Sequence, residues 1–333
     1  MTDIATAAGV SQPTVSLVLN GSAKVKISKA TRQKVLDTAS RLGYQLKHGN
    51  HAHSETKKIA LVLNVLVNID PFIDAINAAR ETAWQNDYIL TVFNYADDKE
   101  LAIDIAKEIT TGDYCGVIFA SSVTQEMAED LFELSLPSVY LNCIPTFDPS
   151  LPTILPADLN SGYTATKHLI EKGFTKIAII NGESWMIAAK SRLQGYKQAL
   201  LNHDLIVEQR FIKHADWSMK TAYLCTKELL ESKDRPQAIF CCSDYMAMGC
   251  AEAIKENGLK IPEDISVVGH DNLQLAAESI PSLTTVQIPY FEMGKQATQL
   301  LVELLSSQAP SLTTFKVEGP LVIRESSGAV VSN

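Results

Sequence analysis

Several side chains able to grip a polar small molecule fall just beyond apolar runs of this sequence. Asp271 follows Ser-Val-Val-Gly-His (266–270), and Ser243 and Asp244 follow Ala-Ile-Phe-Cys-Cys (238–242). Asn142 ends Ser-Val-Tyr-Leu (138–141), Arg192 opens a helical stretch beyond Ile-Ala-Ile-Ile-Asn (177–181), and Trp217 follows Phe-Ile-Lys-His-Ala (211–215). A carboxylate, a guanidinium fork, amide and hydroxyl groups and a flat indole suit a polyhydroxylated ligand. The charged groups bridge hydroxyl pairs, and the indole covers the apolar face of a ring. Plainer roles compete for the same residues: Asp244 as the N-cap of the helix that follows, Trp217 as core, Arg192 as a surface ion pair.

Such residues converge only if the elements carrying them form a cleft, and the hydrophobic pattern predicts one. After Lys58, apolar strands and amphipathic helices alternate: strand 59–65, helix 71–84, strand 89–95, helix 101–110, strand 116–120, helix 127–134 and strand 138–141. A second series runs helix 161–172, strand 177–181, helix 193–203, strand 210–214, helix 220–231, strand 238–242, helix 246–257 and strand 266–269. Fully apolar strands alternating with helices of this length imply parallel sheets covered on both faces. Two such series predict two Rossmann-like lobes with a ligand cleft beyond the strand carboxyl ends. Enzyme chemistry finds no foothold in the motifs. The turn after the first strand, Asn64 to Pro71, has no glycine, and no phosphate loop, G-x-S-x-G or H-E-x-x-H occurs. No cofactor is expected.

The first 46 residues follow another pattern. Ile4, Ala5 and Ala8 share one helical face, Gly9 suits the positive φ of a helix end, and Ser11 is placed to cap a second helix with Pro13 in its first turn. Val15, Val18 and Leu19 recur at i, i+3, i+4, leaving Gln12, Pro13, Ser16 and Leu17 to face outward. A third helix is expected from a Ser28 cap through Val35, Leu36, Ala39 and Leu42 to Gly43. This is a helix-turn-helix with a bracing helix, a layout whose second helix enters the DNA major groove. Charge agrees. Residues 1–58 hold nine Lys/Arg against three acids, a net +6, which leaves the rest of this −9 chain at −15. Basic charge confined to one small module is the footprint of phosphate contact. Residues 47–58 are polar and lack apolar periodicity, so they read as a linker; His48, His51 and His53 there are expected to be solvated rather than metal-bound. Six cysteines without C-x-x-C spacing read as buried free thiols of a reducing cytoplasm, the start lacks signal-peptide features, and no apolar run is long enough to span a bilayer.

The run D-I-A-x-x-A-G-V-S-x-x-T-V-S-x-V-L-N-G (3–21), followed by T-R-x-x-V, L-G-Y and, near the other end, L-V-I-R-E-S (321–326), resembles the LacI/GalR family of bacterial repressors along nearly the whole chain. The resemblance implies an all-α helix-turn-helix head on a periplasmic-binding-protein-like α/β body of two Rossmann-like lobes. The implied domains are a head at 1–46, a linker at 47–58 and a body at 59–328, with lobe 1 about 59–157 and 290–318 and lobe 2 about 158–287 and 319–328. DNA contacts are implied for Thr2, Ser11, Gln12, Pro13, Thr14, Ser16, Leu17, Asn20, Lys24 and Lys26. Effector contacts are implied for Phe72, Asn142, Arg192, Trp217, Ser243 and Asp271. The partners implied are an operator read as a pseudo-palindrome, a sugar-like effector and a second copy of the chain, with no membrane.

Departures from the family pattern sharpen these expectations. Only Met1-Thr2 precede Asp3; Leu17 stands where an Arg often reads guanine; His270 replaces an aromatic and Ser243 an Asn. After Tyr44 the hinge-helix motif A-R-x-L is missing, and Gly49 in a polar run favours a flexible tether. The reading is a cytosolic, dimeric, ligand-responsive regulator that is not an enzyme. A cytosolic sugar-binding protein with a degenerate head is the alternative.

Overall fold

The computed structural model describes residues 2–19, 28, 31, 34, 35, 38, 57–64, 71–127, 132–306 and 313–328. The chain divides into two compact units, Met1–Lys57 and Lys58–Asn333.

In the first unit, α1 (Thr2–Ala8) and α2 (Gln12–Leu19) flank a turn at Gly9, whose φ is +61°. An L side chain there would be strained, so glycine is what allows so short a turn. Thr31, Lys34, Val35 and Thr38 are also helical. Ser28 accepts from the Thr31 amide at 3.1 Å, as a helix cap does. Ile4, Ala5, Ala8, Val15, Val18 and Val35 form one small core. All six are positions that the periodicity put on the inner faces; Leu36, Ala39 and Leu42 lie outside the described residues.

In the second unit, two six-stranded sheets carry the chemistry. The first has the order β11-β5-β4-β3-β1-β2, built from β1 (Lys57–Leu63), β2 (Tyr88–Asn94), β3 (Tyr114–Met127), β4 (Ser138–Pro145), β5 (Thr153–Pro156) and β11 (Thr314–Val317). The second has the order β12-β10-β9-β8-β6-β7, from β6 (Ile177–Asn181), β7 (Ile212–His214), β8 (Ala238–Cys241), β9 (Ser266–Asp271), β10 (Thr284–Gln287) and β12 (Leu321–Val322). The pairs β1–β3, β3–β4, β4–β5 and β5–β11 of the first sheet and β6–β7, β6–β8, β8–β9 and β9–β10 of the second are parallel, and β10 with β12 is antiparallel. Helices α3 (Ile73–Gln85), α4 (Lys99–Thr111) and α10 (Tyr290–Leu305) belong with the first sheet, where α3 packs on α10. The second sheet is joined by α5 (Asp158–Glu171), α6 (Ile187–Leu201), α7 (Met219–Glu231), α8 (Asp244–Glu256) and the short α9 (Gln274–Glu278). The chain passes between the sheets three times: at Ala157, at Ile288-Pro289 and at Glu318-Gly319-Pro320.

Three expectations need correction. No helix spans 127–134: Met127 ends β3, and Phe132–Leu134 are not helical. The β-branched run Val123-Thr124 instead lets β3 continue past a register shift, so that Gln125, Glu126 and Met127 pair with Cys143, Ile144 and Pro145. Helix α6 begins at Ile187, so Arg192 lies inside it rather than at its opening. Strand β1 already includes Lys57 and Lys58, the last two residues assigned to the linker; residues 47–56, with the expected tether and its three histidines, lie outside the described residues.

Candidate nucleic-acid interface and effector site

In the head, α2 is held at its start by Ser11, whose hydroxyl accepts from the Thr14 amide at 3.3 Å and contacts the Thr14 hydroxyl at 2.8 Å. Ser11, Gln12 and Pro13 are exposed, and Thr14, Ser16 and Leu17 are half-buried. The hydroxyl, amide and apolar groups expected to meet DNA thus lie on the first two turns of one helix, opposite buried Val15 and Val18. Thr2 is the first residue of α1, whereas Asn20, Lys24 and Lys26 lie outside the described residues. Sequence reasoning passed over Lys34. Its Nζ would stand 3.9 Å from a Cβ at Gly9, which brings an exposed cation to the turn. Its place in the third helix, one turn before buried Thr38, was the available signal.

The effector candidates divide once placed. Arg192, Trp217, Ser243 and Asp271 gather at the carboxyl ends of β6, β8 and β9. Arg192 is buried. Its Nε donates to Asp158 Oδ1 at 2.8 Å, its Nη1 donates to the Cys242 carbonyl at 2.7 Å, and its guanidinium lies 5.8 Å from the Trp217 ring. Burial opposes the guanidinium charge, but the Asp158 and Asp271 carboxylates outweigh it and shift its pKa upward. The ion pair is therefore internal, not a surface one. Trp217 has φ +65° and donates its indole N–H to Met186 Sδ at 2.8 Å. Its ring lies so close over Gly182 that a Cβ there would come within 1.9 Å of it. Only glycine at the end of β6 leaves the indole that seat.

Ser243, not Asp244, is the N-cap of α8, accepting from the Met246 amide at 3.1 Å. Asp244 begins the helix with its carboxylate wholly buried, accepting from the Thr285 hydroxyl at 2.7 Å and the Leu273 amide at 2.8 Å. Asp271 ends β9 with its side chain 15% exposed. Burial raises the Asp271 carboxyl to about 7, against the pull of Arg192, and burial together with the Asp271 charge raises Asp244 to about 7. His270, the residue before Asp271, does not gain a proton near neutral pH. The residue is 1% exposed, and burial, helped by the Arg192 charge, holds it well below the ordinary histidine range, so it stays neutral near neutral pH.

Two other candidates serve the first lobe's own packing. Asn142 is 1% exposed and spends its amide on the irregular stretch of β3: Nδ2 donates to the Ser121 carbonyl at 2.9 Å, and Oδ1 accepts from the Thr124 hydroxyl at 2.6 Å. Phe72 is fully buried, edge-on to Tyr290 with ring centroids 5.2 Å apart. The helical spacing of Phe72 with Ala75, Ile76, Ala79 and Ala83 could have shown this, because all five belong to one core. The exposed neighbour is Ile73, at 45%. On the second lobe the loop after β6 exposes Trp185 at 67%, its indole N–H 3.2 Å from Glu183 Oε1, a residue the sequence reading did not select.

No group of three or more metal-binding side chains occurs among the described residues, and no described helix is long and apolar enough to cross a membrane.

Residues 1–46 match the model for bacterial regulatory proteins of the lacI family, and residues 166–327 match a periplasmic binding protein-like domain. The HTH-type transcriptional repressor PurR of Mannheimia succiniciproducens is 31% identical over 97% of this chain and 97% of its own. The chain belongs to the LacI family. The ribose operon repressor of Haemophilus influenzae is 33% identical over 98% of both chains. Among solved structures, the transcriptional regulator CelR in complex with cellobiose aligns with a TM-score of 0.68 and 26% identity, over 97% of this chain and 98% of its own. This LacI-family member is thus a DNA-binding transcriptional regulator, and the helix-turn-helix head and two-lobed body have their counterparts in its relatives.

Proposed function

We propose that the protein is a cytosolic homodimeric repressor, not an enzyme, whose head (1–46) reads operator DNA through α2 and whose body binds a neutral sugar-like effector. The observation that carries the effector reading is the buried Arg192–Asp158 pair beside Trp217 and Asp271. Asp158 cancels the guanidinium charge, so the site offers directional hydrogen bonds and an indole face rather than a net positive field. A sugar ring fits this chemistry better than a phosphate, and the similar CelR is seen with cellobiose.

The head retains a closed core under an exposed Ser11-Gln12-Pro13 edge, which supports DNA reading over a vestigial role. Where an Arg would read guanine edges, Leu17 offers only apolar contact, as to a thymine methyl, so the operator differs at that position. The second copy is proposed to seat on the outer face of lobe 2. There an apolar groove of about 940 Å³ is lined by Met219, Tyr223, Met248, Ile261 and Pro281 among others, and by Ile280, which is 94% exposed at its rim. A protruding Ile beside a groove on the same surface is self-complementary, as a two-fold interface requires.

The test is selection of bound sites from a random double-stranded DNA library, followed by a salt titration of the winner. An enriched inverted repeat bound far above scrambled DNA supports the regulator. Weak binding without sequence preference and with a steep salt dependence leaves only phosphate contacts, and a sugar-binding protein with a degenerate head then becomes the better description.

A further inference from the structure

His270 stands where LacI-family members usually carry an aromatic residue, yet its surroundings are not those of a space-filling ring. Its Nδ1 lies 3.0 Å from Asp271 Oδ1, and its Nε2 is buried without a partner among the described residues. A neutral imidazole carries one N–H, and the hydrogen bond made by one nitrogen decides the tautomer. With a carboxylate at one nitrogen and nothing at the other, the proton belongs on Nδ1.

The carboxylate it holds sits on unusual backbone. Asp271 has φ +112° and Asn272 φ +58°. Non-glycine residues persist in such conformations only where the surroundings over-determine them. Asn272 is tied down by Arg324 Nη2 at 2.8 Å to its Oδ1, by the Thr285 hydroxyl at 3.3 Å from its amide, and by Gln287 Oε1 at 3.3 Å from its Nδ2. Asp271 has the Asp244 backbone N–H beside its carboxylate, and His270 supplies the side-chain anchor. The charged groups facing the pair are Arg192 from α6, Asp158 from α5 and Asp244 from α8. A phenyl ring at 270 could pack in the core but could not donate, leaving the carboxylate with only the Asp244 N–H to fix its χ2.

We propose that His270 is a positioning residue of the effector site: its Nδ1–H fixes Asp271 so that the exposed carboxylate edge accepts hydrogen bonds from the ligand. The inference rests on the reading of this cluster as an effector site. It assigns the ligand a hydrogen-bond donor, such as a hydroxyl, at Asp271, and makes residue 270 a determinant of affinity rather than of packing alone.

Two measurements on the full chain test it. In 15N-histidine NMR at about pH 8, where Asp271 is largely ionised, the signal lost in His270→Phe identifies the residue. It is expected as the Nδ1–H tautomer, with its shifts altered in Asp271→Asn. An Nε2–H tautomer or a charged ring overturns the proposal. In titration calorimetry with D-ribose, D-glucose and cellobiose as probes, any sugar that binds the wild type should bind His270→Phe about ten- to a hundredfold more weakly, the span for losing a hydrogen bond to a charged group. His270→Asn, whose amide can still donate, should recover most of the loss. Wild-type affinity in His270→Phe overturns the proposal. If none of the three sugars binds the wild type, the sugar reading of the cleft falls, while the tautomer still decides whether His270 holds Asp271.

Discussion

Replacing Asp158 by Asn tests how the buried ion pair is balanced. The two side chains are 5% and 6% exposed, and Arg192 Nε stands 2.8 Å from Asp158 Oδ1. Asparagine keeps the shape and an acceptor oxygen but removes the charge. The guanidinium then retains the Cys242 carbonyl, at 2.7 Å, and the more distant Asp271 charge. Stripping one partner from a buried pair typically destabilises by about 3–5 kcal/mol. At roughly 2–4 °C per kcal/mol for a domain of this class, the melting temperature should fall by on the order of 10 °C. Arg192→Met should cost less, because a stranded carboxyl can take up a proton and a stranded guanidinium cannot release one. The double variant Asp158→Asn/Arg192→Met should be more stable than Asp158→Asn alone. Denaturant unfolding of the four full-length proteins completes the cycle. An Asp158→Asn protein within about 1 kcal/mol of wild type, or a double variant no better than it, would show that the guanidinium is not dependent on Asp158.

The raised carboxyls give a pH signature. Asp271 and Asp244 hold their protons to about 7, whereas unfolded Asp releases its proton near 3.9, so between those limits the folded state binds more protons and stability falls as pH rises. The buried, neutral His270 and His168 contribute the opposite slope below about pH 6.5, so the test is the difference: Asp271→Asn should make the stability slope between about pH 4.5 and 7 less negative than the wild type's, and equal slopes would contradict the assignment. Gly182→Ala should displace Trp217, seen as a change in its fluorescence and a weaker effector response; unchanged emission would mean that the indole has another seat. Ile280→Asp should shift the protein to monomer in sedimentation without lowering its helix content, and a persisting dimer would place the interface elsewhere. Leu17→Arg should move the selected operator toward guanine at one position by about 1–3 kcal/mol, and an unchanged consensus would remove Leu17 from base reading.

Periodicity carried much of the architecture, because buried parallel strands and amphipathic helices announce themselves locally. The helix expected at 127–134 failed for a non-local reason: β3 is prolonged by pairing with the end of β4, and Asn142 secures the irregular stretch between them. No window around Met127 contains that partner. The site divided in a similar way. Arg192, Trp217 and Asp271 stood out as polar or aromatic groups after strands, but their local pattern did not identify Asp158 as the counter-ion, 34 residues upstream. Phe72 is legible as core, since its helical spacing with Ala75 and Ile76 places it with them. The His270–Asp271 contact joins adjacent residues, yet sequence alone could not show that burial keeps the imidazole neutral.

The last passage of the chain between the sheets bears on the protein's biosynthesis. Strands β11 and β12 together span only nine residues (314–322), and each is the outermost strand of a different sheet, against β5 and β10. Until residues 313–328 have left the ribosome, both sheets present a bare strand edge, the feature that invites pairing with foreign chains. Ser326 adds a clasp, donating to the Val267 carbonyl at 2.6 Å and accepting from the Thr284 amide at 2.9 Å. A message broken before the codon for residue 313 would thus yield a product open at both lobes and suited to aggregation or proteolysis rather than to half-function. An ending at residue 312 is expected to give insoluble protein, and a soluble, monodisperse product of that length would show that the two edges are shielded in some other way.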